Sequence, residues 1–184
     1  MRKPRGLTLV EVLIGTALLV VGGGALLVGI RYTTIHADYL SQCQVAMNAA
    51  QGLLEQLAAT DFSLLTGGQY GAAFAGAQRC WLEDLNCNGA QDAGEEAFGT
   101  SRVSSLLGGG TLDLQIRQPA DDAARNPDNP ALLDLHVAAC WQSRGRAIGE
   151  DRNCNGVLDS GEDANTNGWI DSPVMVSTRV GRMD

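Results

Sequence analysis

The chain has 184 residues, a formal charge of −8 and only 5% aromatic residues, so any core is built mostly from small aliphatics. The acidic balance, with Lys3 the only lysine, excludes phosphate-backbone binding and hence a nucleic-acid partner, because that binding needs basic patches. Two histidines, His36 and His136, and no HExxH, P-loop or GxSxG pattern leave nothing that reads as a catalytic constellation, and no enzyme is expected.

The chain opens with Arg2, Lys3 and Arg5, followed by Leu7–Ile30, an apolar run whose single charge is Glu11. As a helix rising ~1.5 Å per residue this run spans roughly 36 Å, enough for a hydrocarbon core ~30 Å thick. The basic flank should stay cytoplasmic and the rest of the chain should point outward. A secretory signal peptide has an apolar stretch of only ~7–15 residues and then a small-residue cleavage site. This run is longer, and the helical pattern continues past it. A plain anchor fits the length but leaves Glu11 unexplained, since a carboxylate at bilayer depth costs ~2.5–3.5 kcal/mol on insertion scales.

Gly6-Leu7-Thr8-Leu9-Val10-Glu11-Val12-Leu13-Ile14 resembles the leader junction of type IV pilins and type II secretion pseudopilins. The resemblance implies a leader, residues 1–6, cut between Gly6 and Leu7 by a prepilin peptidase, with N-methylation of the new terminus. It makes Glu11 the signature carboxylate at mature position 5, an assembly residue that meets the amino terminus at Leu7 of its own or a neighbouring subunit. Leu7 departs from the commoner Phe or Met at that place. Val28 stands where many pilins carry a kinking Pro, and Gly22-Gly23-Gly24 lies upstream of it. Each Gly costs ~1 kcal/mol against Ala in a helix. Two readings stay open for the triplet: close helix packing in lipid, or a place where the helix melts on assembly.

From Arg31 to about Thr60 the pattern is an amphipathic helix, with Ile35, Tyr39, Cys43, Ala46, Ala50, Leu53 and Leu57 on one stripe. Gly67-Gly68 is expected to end this segment. Strands are expected at Tyr70–Leu82, Ala97–Ser105, Thr111–Gln118, Ala131–Gln142 and Val174–Val180, with a polar loop over Pro119–Pro130. The runs LLDLHVAACWQSRG and VMVSTRV resemble the closing strands of minor pilins and minor pseudopilins. The helix-first, sheet-after order gives an α+β class, which the resemblance sharpens to a pilin lollipop. The expected parts are a leader (1–6), a membrane or filament-core helix (7–30), its amphipathic continuation and turn (31–66), and a β-sheet head (67–184) with loop insertions at 84–95 and 151–171.

The insertions are a repeat with the shared core EDxNCNGxxDxGE. Both copies match D-x-[DN]-x-[DN]-G-x5-E, the template of calcium loops. Oxygens at positions 1, 3 and 5 turn inward, position 7 offers its carbonyl, position 9 often acts through water, Gly at 6 makes the turn, and Glu at 12 gives two oxygens. In the first loop these are Asp84, Asn86, Asn88, Ala90, Asp92 and Glu95. In the second they are Asp151, Asn153, Asn155, Val157, Asp159 and Glu162. A third copy follows in a twelve-residue register, with Asp163, Asn165, Asn167, Trp169 and Asp171, but its twelfth position is Val174 and it lacks a closing carboxylate. The tandem register resembles thrombospondin type 3 repeats, and single copies resemble EF-hand or dockerin loops. Two to three Ca²⁺ ions are expected. The competing reading is that Asn, Asp and Gly clusters simply make Asx turns.

Four of the five cysteines follow the repeat. Cys80 with Cys87 and Cys140 with Cys154 are equivalent pairs, although four cysteines allow three connectivities. Separations of seven and fourteen residues are not those of zinc sites. Cys43 falls on the helical stripe as a buried thiol. His36 and His136 are expected to be structural or exposed, and Trp81 and Trp141 to pack at strand ends. The functional expectation is a minor pilin or pseudopilin of a type IV pilus or type II secretion pseudopilus. Its partners would be other pilins, the prepilin peptidase and the inner membrane before assembly. Its head would be periplasmic until the chain enters a filament. The alternative is a membrane-anchored, calcium-dependent adhesive module that joins no filament.

Overall fold

In the computed structural model, residues 8–76 and 78–182 are described, and the Gly6–Leu7 junction lies outside them. The chain divides into two compact units, the first ending at Ser41 and the second beginning at Gln42. One helix, α1 (Leu9–Ala58), runs through the boundary. It starts where Thr8 and Glu11 form a capping box. Thr8 N and Oγ1 donate to Glu11 Oε2 at 2.8 and 3.0 Å, and Glu11 N donates to Thr8 Oγ1 at 3.3 Å. The helix continues unbroken through Gly22-Gly23-Gly24, where an added Cβ would meet nothing within 4 Å.

The second unit is α+β. The last four turns of α1 bury Ala46, Ala50, Leu53 and Leu57, while Cys43 is half-buried with a free thiol. Among the described residues there are five strands, β1 (Gln78–Trp81), β2 (Thr111–Arg117), β3 (Leu132–Ser143), β4 (Arg146–Ile148) and β5 (Met175–Gly181). All pairings are antiparallel. β1 pairs β2, β2 pairs β3, and β3 carries β5 along Leu132–Ala138 and β4 along Trp141–Ser143. Alternation gives this sheet two unlike faces. One holds Leu112, Leu114, Ile116, Leu133, Leu135, Val137, Ala139 and Trp141, all buried, and packs against α1. Trp141 Nε1 donates to Gln42 Oε1 of that helix at 3.3 Å. The other face holds Arg79, Asp113, Gln115, Arg117, His136, Ala138 and Cys140, which the register sets side by side.

A short helix, α2 (Phe62–Leu65), follows α1. Two expected strands are corrected. Gly68–Ala75 is a 3₁₀ turn followed by a short helix, α3 (Gly71–Ala75), and strand begins only at Gln78. The run Gly-Ala-Ala-Phe-Ala has more helix than strand propensity. Ala97–Ser105 is a turn and a helix, α4 (Arg102–Leu106), because Gly99 takes φ +72° and Ser101 caps the helix by accepting from Ser104 N at 3.0 Å. The loop at 119–130 contains a single helical turn, Ala120–Ala123, held by Asp122. The Asp122 carboxylate accepts from Asn126, Gln118, Ala131 N and Leu132 N. These bonds hold its pKa down at about 2.

Candidate metal centre

The three loops share one backbone. Position 4 takes positive φ in each, at Cys87 (56°), Cys154 (52°) and Thr166 (58°). Position 6 does so at Gly89 (75°), Gly156 (77°) and Gly168 (76°). Their side-chain bonds repeat as well. The position-1 aspartates accept from the N–H of position 6: Asp84 from Gly89 at 2.7 Å, Asp151 from Gly156 at 2.7 Å, Asp163 from Gly168 at 2.9 Å. The asparagines at positions 3 and 5 both donate Nδ2 to the position-9 aspartate. Asn86 and Asn88 meet Asp92, Asn153 and Asn155 meet Asp159, and Asn165 and Asn167 meet Asp171, all between 2.5 and 3.0 Å. Glu95 accepts from Leu85 N and Asp92 N at 3.0 and 2.8 Å, and Glu162 from Arg152 N and Asp159 N at 2.9 and 3.0 Å. The motif residues of each loop are therefore linked to one another by the same set of hydrogen bonds.

The loops occupy opposite sides of the sheet. Cys80 shares its register position with Leu112 on the apolar face, and its disulfide to Cys87 (Cα–Cα 4.9 Å) ties the first loop there. Tyr70 Oη and Gln69 Nε2 both donate to Asn86 O, at 2.9 and 3.1 Å. Cys140 pairs with Thr111 on the polar face, and its disulfide to Cys154 (Cα–Cα 5.5 Å) ties the second loop to that side. Since residues 111 and 112 point to opposite faces, each cysteine bonds within its own repeat, and the connectivity left open by counting is settled.

The polar face is the bed of the second and third loops. Arg79 Nη1 donates to Cys154 O at 3.3 Å, and a Cβ on Gly156 would lie 2.7 Å from Arg79 Cβ. Gln115 Oε1 accepts from Ile170 N at 2.7 Å. Arg117 donates to Gly168 O, and its guanidinium sits 3.9 Å over the Trp169 ring. His136 lies 3.0 Å from Ile170 O through Nε2, and burial first of all lowers its pKa, so it is a neutral structural donor. Trp141 is fully buried in the core, and Trp81 stacks on Phe98 with Arg79 above it. His36 meets Tyr32 edge-on at 4.2 Å.

Each full loop offers hard oxygen donors at six positions, a set suited to Ca²⁺, which takes six to eight oxygens. Among the described residues no three His, Cys, Asp or Glu side chains gather as a metal cluster, so a cation in these loops would have to draw part of its oxygens from the asparagines and the backbone. A second observation concerns charge. Asp113, on the polar face and fully buried, has both carboxylate oxygens without a hydrogen-bond partner. Burial, then the negative charges of Asp151 and Glu162, push its pKa well up, against the opposing charge of Arg79. The bed of the second loop thus sets a buried, unpartnered carboxyl group in the field of Asp151 and Glu162, whose negative charges favour its protonated form, and a calcium ion bound there would relieve that repulsion and cross-link the loop. The Asp113 carboxylate has no counterpart in the loop motif, and sequence reasoning missed it, because in Leu112-Asp113-Leu114 it reads as an ordinary outward-facing strand residue.

Glu83 was also missed. It precedes Asp84 and accepts from Gly99 N, Ser101 N and Ser104 Oγ. Burial opposes its ionisation, but those bonds outweigh it and hold its pKa low. Among the described residues α1 is the one helix long and apolar enough to cross a membrane, and its apolar window is wholly exposed in this chain. Comparison with known proteins adds nothing to these features, because no family model, no curated protein and no solved structure matches the chain.

Proposed function

We propose that the chain is a pilin-like subunit, a minor pilin or type II secretion pseudopilin, whose head is stabilised by calcium in its loops. The observation that carries this reading is the division of α1. From Leu9 to Ile30 its large apolar side chains are exposed, as at Leu19 (76%), Val21 (71%) and Leu27 (71%), whereas from Ala46 onward one stripe of the same helix, Ala46, Ala50, Leu53 and Leu57, is buried in the second unit. An apolar surface of that extent calls for lipid or for neighbouring helices. A pilin-like life supplies both, first as an inner-membrane anchor with a periplasmic head and then as a filament core. The glycine triplet, open on every side, suits close approach of a neighbouring helix. Glu11 fits as well: its capping box with Thr8 satisfies it locally while leaving it at the helix start, where a subunit's amino terminus can reach it.

Two measurements test this. The mature protein from an assembling cell should begin at Leu7 and carry an N-methyl group, read by N-terminal peptide mass. Glu11→Ala should leave membrane insertion and the head's fold intact but reduce recovery in sheared filaments or pseudopili at least tenfold. A chain that retains Met1, or a Glu11→Ala variant assembled at the wild-type level, would overturn the reading.

The second reading, an anchored adhesive module, is favoured by one feature: a surface cavity of about 410 Å³ beside the third loop, lined by Asp134, His136, Trp169, Ser177 and Arg179. It predicts surface binding that survives Glu11→Ala.

A further inference from the structure

The third loop lacks a carboxylate at its twelfth position, where Val174 is buried in the core. The structure fills that place from elsewhere. Glu150 Oε1 accepts from Ala164 N at 3.2 Å and Glu150 Oε2 accepts from Asp171 N at 3.3 Å. Those donors are positions 2 and 9 of the third loop, the same two positions that Glu95 and Glu162 serve in their own loops. Glu150 N in turn donates to Asp171 O at 2.7 Å, closing the contact from both sides.

We propose that Glu150 is the closing ligand of the third loop, so that 150–171 is a head-to-tail pair of cation sites. Asp151 and Glu162 belong to one site, and Asp163 and Glu150 to the other. The inference rests on the calcium reading above. Two junction dipeptides, Glu150-Asp151 and Glu162-Asp163, each give one carboxylate to each site, so the pair closes on itself. Independently of these hydrogen bonds, the buried and unpartnered Asp113 carboxylate lies on the same sheet face, in the field of Asp151 and Glu162. The second site of the pair thus has beside it a buried carboxyl group whose two oxygens no protein donor meets, a lack of partners that a cation at Asp151 and Glu162 would relieve. The first copy shows what the repeat's leading glutamate does without a following loop: Glu83 clasps the turn at 99–104.

Trp169 makes the test specific, because it stands at position 7 of the third loop and sensitises a lanthanide bound there, whereas the second loop has Val157 at that place. The full chain in detergent, oxidised, is titrated with Tb³⁺ and excited at tryptophan. Wild type should show emission that Trp169→Phe abolishes. Glu150→Gln should shift the titration at least tenfold to higher Tb³⁺ with unchanged far-ultraviolet dichroism, and Asp163→Asn should do the same, while Glu95→Gln should leave it in place. Glu150→Asp, one methylene short with its charge kept, serves if Glu150→Gln fails to fold, and it too should shift. An unshifted Glu150 variant overturns the inference and leaves the calcium reading standing. So does calorimetric Ca²⁺ binding without Trp169-dependent emission. Absence of any Ca²⁺ binding overturns both.

Discussion

Gly89 and Gly156 occupy the same position of the same motif with nearly the same φ, 75° and 77°, yet replacing them by alanine should have unequal consequences. Either substitution forces an L residue into the left-handed region, at about 1–2 kcal/mol. Around Gly89 an added Cβ meets nothing within 4 Å, so strain is the whole cost. At Gly156 the Cβ would lie 2.7 Å from Arg79 Cβ, 2.8 Å from Arg79 N and 2.9 Å from its Cα. Two of those three atoms are backbone of β1, which cannot swing aside as a side chain can. Either the loop lifts off the sheet or β1 shifts, adding about 1–3 kcal/mol of overpacking. For a unit of this size 1 kcal/mol moves the melting temperature by roughly 3 °C. Gly89→Ala should therefore lower it by about 3–6 °C and Gly156→Ala by about 6–15 °C, measured on the oxidised full chain in detergent with chelator, so that bound metal does not offset the loss. If Gly156→Ala costs no more than Gly89→Ala, the second loop does not lie on β1 and the account of the polar face fails.

Three further outcomes follow from the same geometry. Millimolar Ca²⁺ should raise the melting temperature and chelator should lower it, by an amount equal to RT ln(1 + [Ca²⁺]/Kd), ~2.7 kcal/mol at a hundredfold excess, with Mg²⁺ a poor substitute; an unchanged curve together with a flat calorimetric titration would mean that the loops are Asx turns. Asp151→Ala should destabilise the calcium-loaded chain more than Asp84→Ala, as read by denaturant midpoint, because Asp151 is fully buried and its neighbours Glu150 and Glu162 both reach the third loop or its junction. In chelator, two carboxylates should give opposite pH dependences: Asp122, depressed to about 2, adds stability above the ordinary range near 4 that is lost as pH falls toward 2, whereas Asp113, raised by burial, costs stability increasingly as pH rises from about 4, so Asp113→Asn should melt higher than wild type at pH 7 and lose that advantage at pH 4.

The long helix, the three longer strands and the three loops were legible because each is written in local periodicity or fixed spacing. The stripe Ala46, Ala50, Leu53, Leu57 is buried as its spacing implies, and Leu112, Leu114 and Ile116 share one face as alternation implies. The failures lie where local chemistry competes with alternation: an Ala-rich turn that prefers helix at 71–75, and a Ser101 cap that starts α4 where strand was expected. The capping box of Thr8 and Glu11 was spelled out in Thr8-x-x-Glu11 but was masked by the attention Glu11 draws as a charge in an apolar run. Glu150 was invisible for a different reason. Its partner loop begins thirteen residues later, and a template read in one direction looks for the closing carboxylate at Val174, not behind the start of the preceding loop.

The two sides of the sheet also explain how the three loops are held, and in what order they should let go. The first and second loops are tied covalently at position 4, Cys87 to Cys80 and Cys154 to Cys140. The third has Thr166 at position 4, with the same positive φ and no cysteine. Its ties are noncovalent, from Gln115, Arg117, His136 and Glu150, and every one of these is a side chain on the polar face or in the neighbouring loop. Cross-linking a loop of about 15 residues is worth ~3 kcal/mol through the unfolded chain, a contribution that persists without metal. The third loop has none of it, so its order depends on the polar bed and on whatever balances the carboxylates there. In the oxidised chain, removal of calcium should therefore raise amide exchange most at 163–171, less at 151–162 and 84–95, and the difference should shrink once the disulfides are reduced.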